Sequence, residues 1–344
     1  MEFIQEVLTM EKLGSFIKAT GSYTPDRVVF NSELETLLDT TDEWIRKRCG
    51  IAKRYWAEQT ETTSDLAYQA SLKALEKANI EKQEIDMIIL ATVTPDHEFP
   101  GTACFLQGKL DLPGIPAIDV RQQCSGFIYA LSQADLYLRT GDYRTVLLVC
   151  AELHSKCLDL SPRGRNVSIL FGDGAAAMIL QQTEEANRGV LSTHIMSDGS
   201  HAKQLWCPAP GNGHVSAARI DAAMLEQGLQ FPHMNGRAIF THAVRQMSQE
   251  LLHCLKQNSK TIDEVDLIFF HQANLRICEA VGKLLEIDPA KIYNTIEEYG
   301  NTTAATLPLG IDHAVKSGAL KKGMLIATVA FGSGFTWGSA MLRW

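Results

Sequence analysis

Two stretches of this chain repeat one another's pattern, and the repeat restricts the fold more than any other feature. From Ala67, AYQASLKALEKANIEKQEIDMIILA reads as an amphipathic helix, a short polar linker, an Ile-Asp pair and an apolar strand. The stretch from Ala243 that ends TIDEVDLIFFH follows the same plan. A second pair sets VLLVCAE with FGDGAAAMIL against LIATVAF with GSGFTWGSAML. Such self-similarity predicts two like halves, residues 1–185 and 186–344, related by a pseudo-twofold axis with a site where they meet. The polar run QQTEEANRG (Gln181–Gly189) is the natural join.

The apolar runs set the class. Strands are expected at Ile85–Val93, Ala117–Val120, Thr145–Glu152, Ala175–Leu180, Val265–His271, Met324–Phe331 and Ser339–Trp344. They are continuously apolar, as strands covered on both faces are. Amphipathic stretches such as Ser64–Ala78 and Ala243–Lys256 lie between them, so the class is α/β with helix-covered sheets. Ser200–Ala223, rich in Gly and Pro and without periodicity, reads as a long surface loop.

Composition narrows the function. A net charge of −8 over 344 residues argues against nucleic acid as the main partner. No apolar run approaches the roughly 18 residues of a membrane span, and MEFIQEVLTMEKLGSF has neither the basic nor the apolar region of an export signal, so a cytoplasmic location is expected. The eight cysteines form no CxxC pair and there is no HExxH or Cys/His cluster, so no metal is expected. GDGA at Gly172–Ala175 and GSGFTWG are not phosphate loops, since neither opens a βαβ unit with the required spacing. Positive charge gathers at Arg46, Lys47, Arg48, Lys53 and Arg54, and at Arg163 and Arg165, as a solvated face or a docking surface for a phosphate ligand or acidic protein.

Three residues stand at strand-to-helix turns. Cys124 follows a short strand and precedes a helix, where unpaired N–H groups and the dipole favour a thiolate and can hold an oxyanion. Gly126 keeps that turn open to a substrate. His271 ends the strand VDLIFFH, where α/β sheets place ligand-contacting groups. Asn301 follows Gly300 before another helix. Taken singly, each also reads as structural: a core cysteine, a satisfied core histidine, a helix-capping asparagine. Together, a nucleophilic sulfur and neutral hydrogen-bond donors suit acyl transfer and enolate chemistry.

The motifs ATGSYTPD, DTTDEWIRKRCGI, QQCSGFIYAL, ILFGDGAA, HQANLRI, YGNTTAAT and FGSGFTWGSAMLRW make the chain resemble the thiolase-fold condensing enzymes, and closely the type III 3-oxoacyl-acyl-carrier-protein synthases, from about Lys12 to Trp344. The resemblance implies a layered αβαβα core and a Cys–His–Asn triad at Cys124, His271 and Asn301. It also implies oxyanion N–H groups from Cys124 and Gly334, and a coenzyme A tunnel near Trp44, Arg48 and Arg165 with Phe240, Ala273 and Asn274 along its wall. Arg276 falls where the acidic carrier protein docks, and Phe99 where a homodimer partner's acyl pocket is entered. The implied reaction loads an acyl group from acyl-CoA onto Cys124, then condenses it with malonyl-acyl-carrier protein as carbon dioxide leaves, with coenzyme A thioester as substrate and no cofactor. The runner-up is an acyltransferase, or a secondary-metabolite enzyme of this type with a longer primer. Gln122 and Gln123 before the nucleophile, Gly332-Ser333-Gly334 in place of three glycines, Arg237 in the tunnel wall and the segment HSKCLDLSPRGRN depart from the common starter type and bear on the primer.

Overall fold

In this computed structural model the described residues are 13–344 apart from Ala186, His214, Val215 and Ala217. Residues 1–12, where the export-signal reading falls, lie outside them, as do one position of the join and three of the 200–223 stretch.

Four strands buried along their whole length, Met87–Ala91, Thr145–Glu152, Leu267–Phe270 and Leu325–Gly332, form the centres of two sheets. The first sheet runs Gly14–Tyr23, Gly174–Thr183, Thr145–Glu152, Met87–Ala91, Ala117–Val120. Its last three strands are mutually parallel and the first two pair antiparallel. The second runs Leu267–Phe270, Leu325–Gly332, Thr336–Arg343, Gly189–Ser197, with one parallel and two antiparallel pairings. Read from Met87–Ala91 outward, the first sheet has the same order and sense as the second. The edge strand Ala117–Val120 is echoed there only by a parallel bridge from Ile268 to Ile292.

Layering follows from alternation. Met87, Ile89 and Ala91 point to one side of the first sheet and share a core with Leu267, Phe269 and Ile326 of the second, across the helices Gly126–Thr140 and Thr306–Lys316. Ile88 and Leu90 point to the other side, onto the helices Thr63–Ala78 and Thr102–Leu110. Ile268 and Phe270 likewise pack on Gly236–Gln257 and Leu275–Leu284. The result is an αβαβα stack. Local sequence supports it: Thr62 and Asp65 form a capping box at the start of Thr63–Ala78, and Asn79 at φ 51° ends that helix.

The 200–223 stretch is more ordered than its composition suggested. It holds a 3-10 turn at Gly199–Gln204 and the strand Leu205–Trp206, which pairs with His233–Met234. No helix among the described residues is long and apolar enough to cross a membrane.

Candidate active site

Cys124 lies in a single 3-10 turn, Gln123–Ser125, and the long helix starts only at Gly126. The thiol-bearing residue is 7% exposed, at the wall of a cavity. Gly332, the last residue of its strand, closes on it so tightly that a Cβ there would lie 2.6 Å from that of Cys124. Because the strand ends against the nucleophile, the next backbone N–H, that of Ser333, reaches the sulfur together with the N–H of Cys124 itself. The sequence reading placed Gly334 there; instead Gly334, at φ 133°, forms the turn that follows.

The expected thiolate is also revised. Burial, and then the buried carboxylate of Glu152, push the Cys124 thiol up to about 12, outweighing the two N–H groups. The resting sulfur is therefore a neutral thiol. Alkylation of Cys124, followed by peptide-resolved mass spectrometry because Cys104, Cys157 and Cys207 are exposed, is expected to accelerate about tenfold per pH unit between roughly pH 7 and 9. A plateau at neutral pH contradicts this.

His271 follows the strand Leu267–Phe270, its N–H donating to the Val329 carbonyl at 2.8 Å. Burial pushes its imidazole down to about 3, so it is neutral. Nδ1 sits 2.7 Å from the Thr306 hydroxyl, and Nε2 is buried with no protein partner. The Thr306 hydroxyl also lies 3.0 Å from the Thr303 carbonyl, to which the Thr306 N–H already donates. It can thus give its proton to Nδ1, making Nε2–H a donor, or give it to the carbonyl and accept from Nδ1–H, leaving Nε2 an acceptor. Asn301 is pinned by backbone, its N–H on the Leu170 carbonyl at 2.8 Å and its carbonyl accepting the Gly172 N–H at 3.1 Å. Its Oδ1 accepts the Thr303 N–H at 2.9 Å, a capping bond that leaves Nδ2 as the available donor. The capping and chemical readings of Asn301 are therefore compatible.

Cys124, His271 and Asn301 line one cavity of about 530 Å³. Arg48, Arg237, Phe240, Ala273, Asn274 and Arg276 line it as well. Trp44 lies outside the lining, with the Arg48 and Arg165 guanidiniums 5.5 and 5.1 Å from its ring. Arg165 also donates to Asp39 at 3.2 Å. Asn274 braces the wall: its Oδ1 caps the helix at the Arg276 N–H and its Nδ2 donates to the Arg48 carbonyl. Phe99 is 83% exposed and does not line its own chain's cavity. Among the described residues no cluster of His, Cys, Asp or Glu is placed to hold a metal.

Sequence reasoning missed the shell behind these groups. Glu152 ends its strand fully buried and is pushed up to about 7 by burial, although Thr94, Val93 and Ala304 donate to it at 2.7, 3.1 and 3.4 Å. Thr303 and Thr306 are in the NTTAAT motif, but nothing there marks them as partners of Asn301 and His271.

The repeated sheets, the helices between them and a cavity holding a sulfur, an imidazole and a carboxamide define a condensing enzyme of thiolase fold. Residues 118–199 match the family described as 3-oxoacyl-[acyl-carrier-protein (ACP)] synthase III, and residues 255–344 match its C-terminal part. The beta-ketoacyl-[acyl-carrier-protein] synthase III of Xanthomonas euvesicatoria is 43% identical over 97% of this chain and 99% of its own. The structure of 3-oxoacyl-[acyl-carrier-protein] synthase III from Aquifex aeolicus superposes with TM-score 0.87 at 38% identity over 96% of this chain and all (100%) of that one. A priming beta-ketosynthase from a polyketide pathway superposes at 0.86 with 29% identity over 96% of each chain. The chain belongs to the 3-oxoacyl-[acyl-carrier-protein] synthase III family.

Proposed function

We propose that this chain is an acyltransferase that starts fatty-acid synthesis by condensing an acyl-CoA primer with malonyl-acyl-carrier protein, through an acyl group held on Cys124. The observation that carries this reading is the convergence of Cys124, His271 and Asn301 on one cavity of about 530 Å³. Identity favours the fatty-acid role over a secondary-metabolite one, 43% with a synthase III against 29% with the polyketide enzyme.

In the first step the Cys124 sulfur attacks the thioester carbon as its proton passes to Nε2 of His271. The oxyanion is held by the N–H groups of Cys124 and Ser333. The carbon–sulfur bond to coenzyme A breaks and the proton leaves with its thiol. Malonyl-carrier protein then places its thioester oxygen against Nε2–H of His271 and Nδ2 of Asn301, the imidazole now in its other neutral tautomer. The carbon–carbon bond to the carboxylate breaks, carbon dioxide departs, and the enolate formed attacks the acyl-cysteine to release the 3-oxoacyl product and the Cys124 thiolate, which takes up a proton from solvent to return to the thiol. No cofactor takes part. Arg48, Arg237 and Arg276 suit the phosphates of coenzyme A and the acidic carrier protein. The exposed Phe99 suits a cytoplasmic homodimer in which it enters the second copy's acyl pocket.

Purified protein given acyl-CoA and carboxyl-labelled malonyl-carrier protein is expected to release one labelled carbon dioxide per 3-oxoacyl product. Acyl transfer without labelled gas would make it a plain acyltransferase.

A further inference from the structure

The second half's chemistry is braced by a side chain from the first. Thr303 sits at φ 47°, a left-handed conformation costly for a β-branched residue, and is 2% exposed. Two of its three polar groups serve the site and the third reaches away from it. Its N–H donates to Oδ1 of Asn301 at 2.9 Å. Its carbonyl, 3.0 Å from the Thr306 hydroxyl, takes part in setting the tautomer of His271. Its own hydroxyl lies 2.6 Å from Nε2 of His154.

His154 comes from the other half, just beyond the strand Thr145–Glu152. It is 5% exposed and stacked on Phe171 with ring centres 4.4 Å apart. Its N–H donates to Asp173 at 2.7 Å. Phe171 in turn makes a backbone bridge to Asn301. Glu152, 3.9 Å from Nε2 of His154, accepts the Ala304 N–H, so two buried groups of one strand end grip the turn after Asn301. Burial keeps His154 neutral, its imidazole pushed down to about 3. No step of the reaction above uses it.

We infer that His154 is a positioning residue for the decarboxylating half-reaction: by holding the Thr303 hydroxyl it fixes the strained turn that aims Asn301. The inference rests on the role given above to Asn301. Loading of Cys124 does not call on Asn301, so the two half-reactions respond differently. A misplacement of about 1 Å at a reacting geometry costs on the order of 100-fold.

The test measures both half-reactions on full-length protein: Cys124 acylation by rapid-quench intact mass, and labelled carbon dioxide release by enzyme already acylated. In His154→Leu, release is expected to fall on the order of 100-fold, with acylation changed by less than about threefold. His154→Gln, which keeps a hydrogen-bonding group toward Thr303, is expected to recover much of the loss. Added to Asn301→Ala, His154→Leu is expected to cost nothing further, since both act through one group. Should His154→Leu fail to fold, Thr303→Val removes the same hydrogen bond and carries the same expectation. Equal falls in both half-reactions, or full release in a folded His154→Leu whose Asn301→Ala counterpart is impaired, overturn the positioning role alone. Full release in both variants overturns the reading it rests on.

Discussion

Cys124→Ala is expected to lower condensation by at least about 1,000-fold, because removing a covalent nucleophile removes the pathway and not one contact in it. The fold should survive. The substitution deletes a sulfur at a cavity wall and leaves the backbone contact with Gly332 untouched. The check is a steady-state assay alongside thermal unfolding, with folded but inactive protein as the expected result. Retention of more than a few per cent of parental turnover would show that the sulfur does not carry the acyl group.

His271→Ala is expected to cost on the order of 100- to 1,000-fold in condensation, the scale seen when one oxyanion donor is removed from a preorganised site. Both half-reactions are expected to fall, since in the proposed mechanism Nε2 takes the Cys124 proton in loading and donates to the enolate oxygen as carbon dioxide leaves. The N–H groups of Cys124 and Ser333 still stand at the sulfur, so acylation is slowed and not abolished. The variant removes the imidazole partner of the Thr306 hydroxyl, which keeps the Thr303 carbonyl as its acceptor at 3.0 Å. Measuring the two half-reactions separately, beside thermal unfolding, checks this: a parental rate in either one would contradict the role given to Nε2 there.

The sequence was most legible where burial is complete. Thr145–Glu152 and Leu325–Gly332 are buried at every position, so their apolar runs announced them. Gly14–Tyr23 and Gly189–Ser197 were not recognised as strands. Each lies at a sheet edge, and Gly189–Ser197 passes from buried to exposed along its length, so its residues are mixed. The repeat implied two like halves, but not the shared strand order, which depends on pairings such as Gly14 with Thr183.

The site shows the same division. Cys124, His271 and Asn301 were visible because each stands where a strand or extended segment gives way to a helix. What surrounds them was not. The helix dipole suggested an activated thiolate at Cys124, whereas burial and Glu152, far away in sequence, decide the opposite. The second N–H at the Cys124 sulfur belongs to Ser333 and not to Gly334, through a close approach of Gly332 that only three-dimensional packing reveals. His154 lies within the atypical segment HSKCLDLSPRGRN, which the sequence connects only with the choice of primer.

The claim beneath all of this is that a thiol with little solvent exposure takes up an acyl group through the channel it lines. Intact-protein mass spectrometry after mixing with a panel of acyl-CoA thioesters tests it most directly. The expected result is a gain of one acyl mass with at least one thioester, mapped to the peptide containing Cys124 and missing from Cys124→Ala. No gain with any thioester, or an unchanged gain in Cys124→Ala, would contradict it.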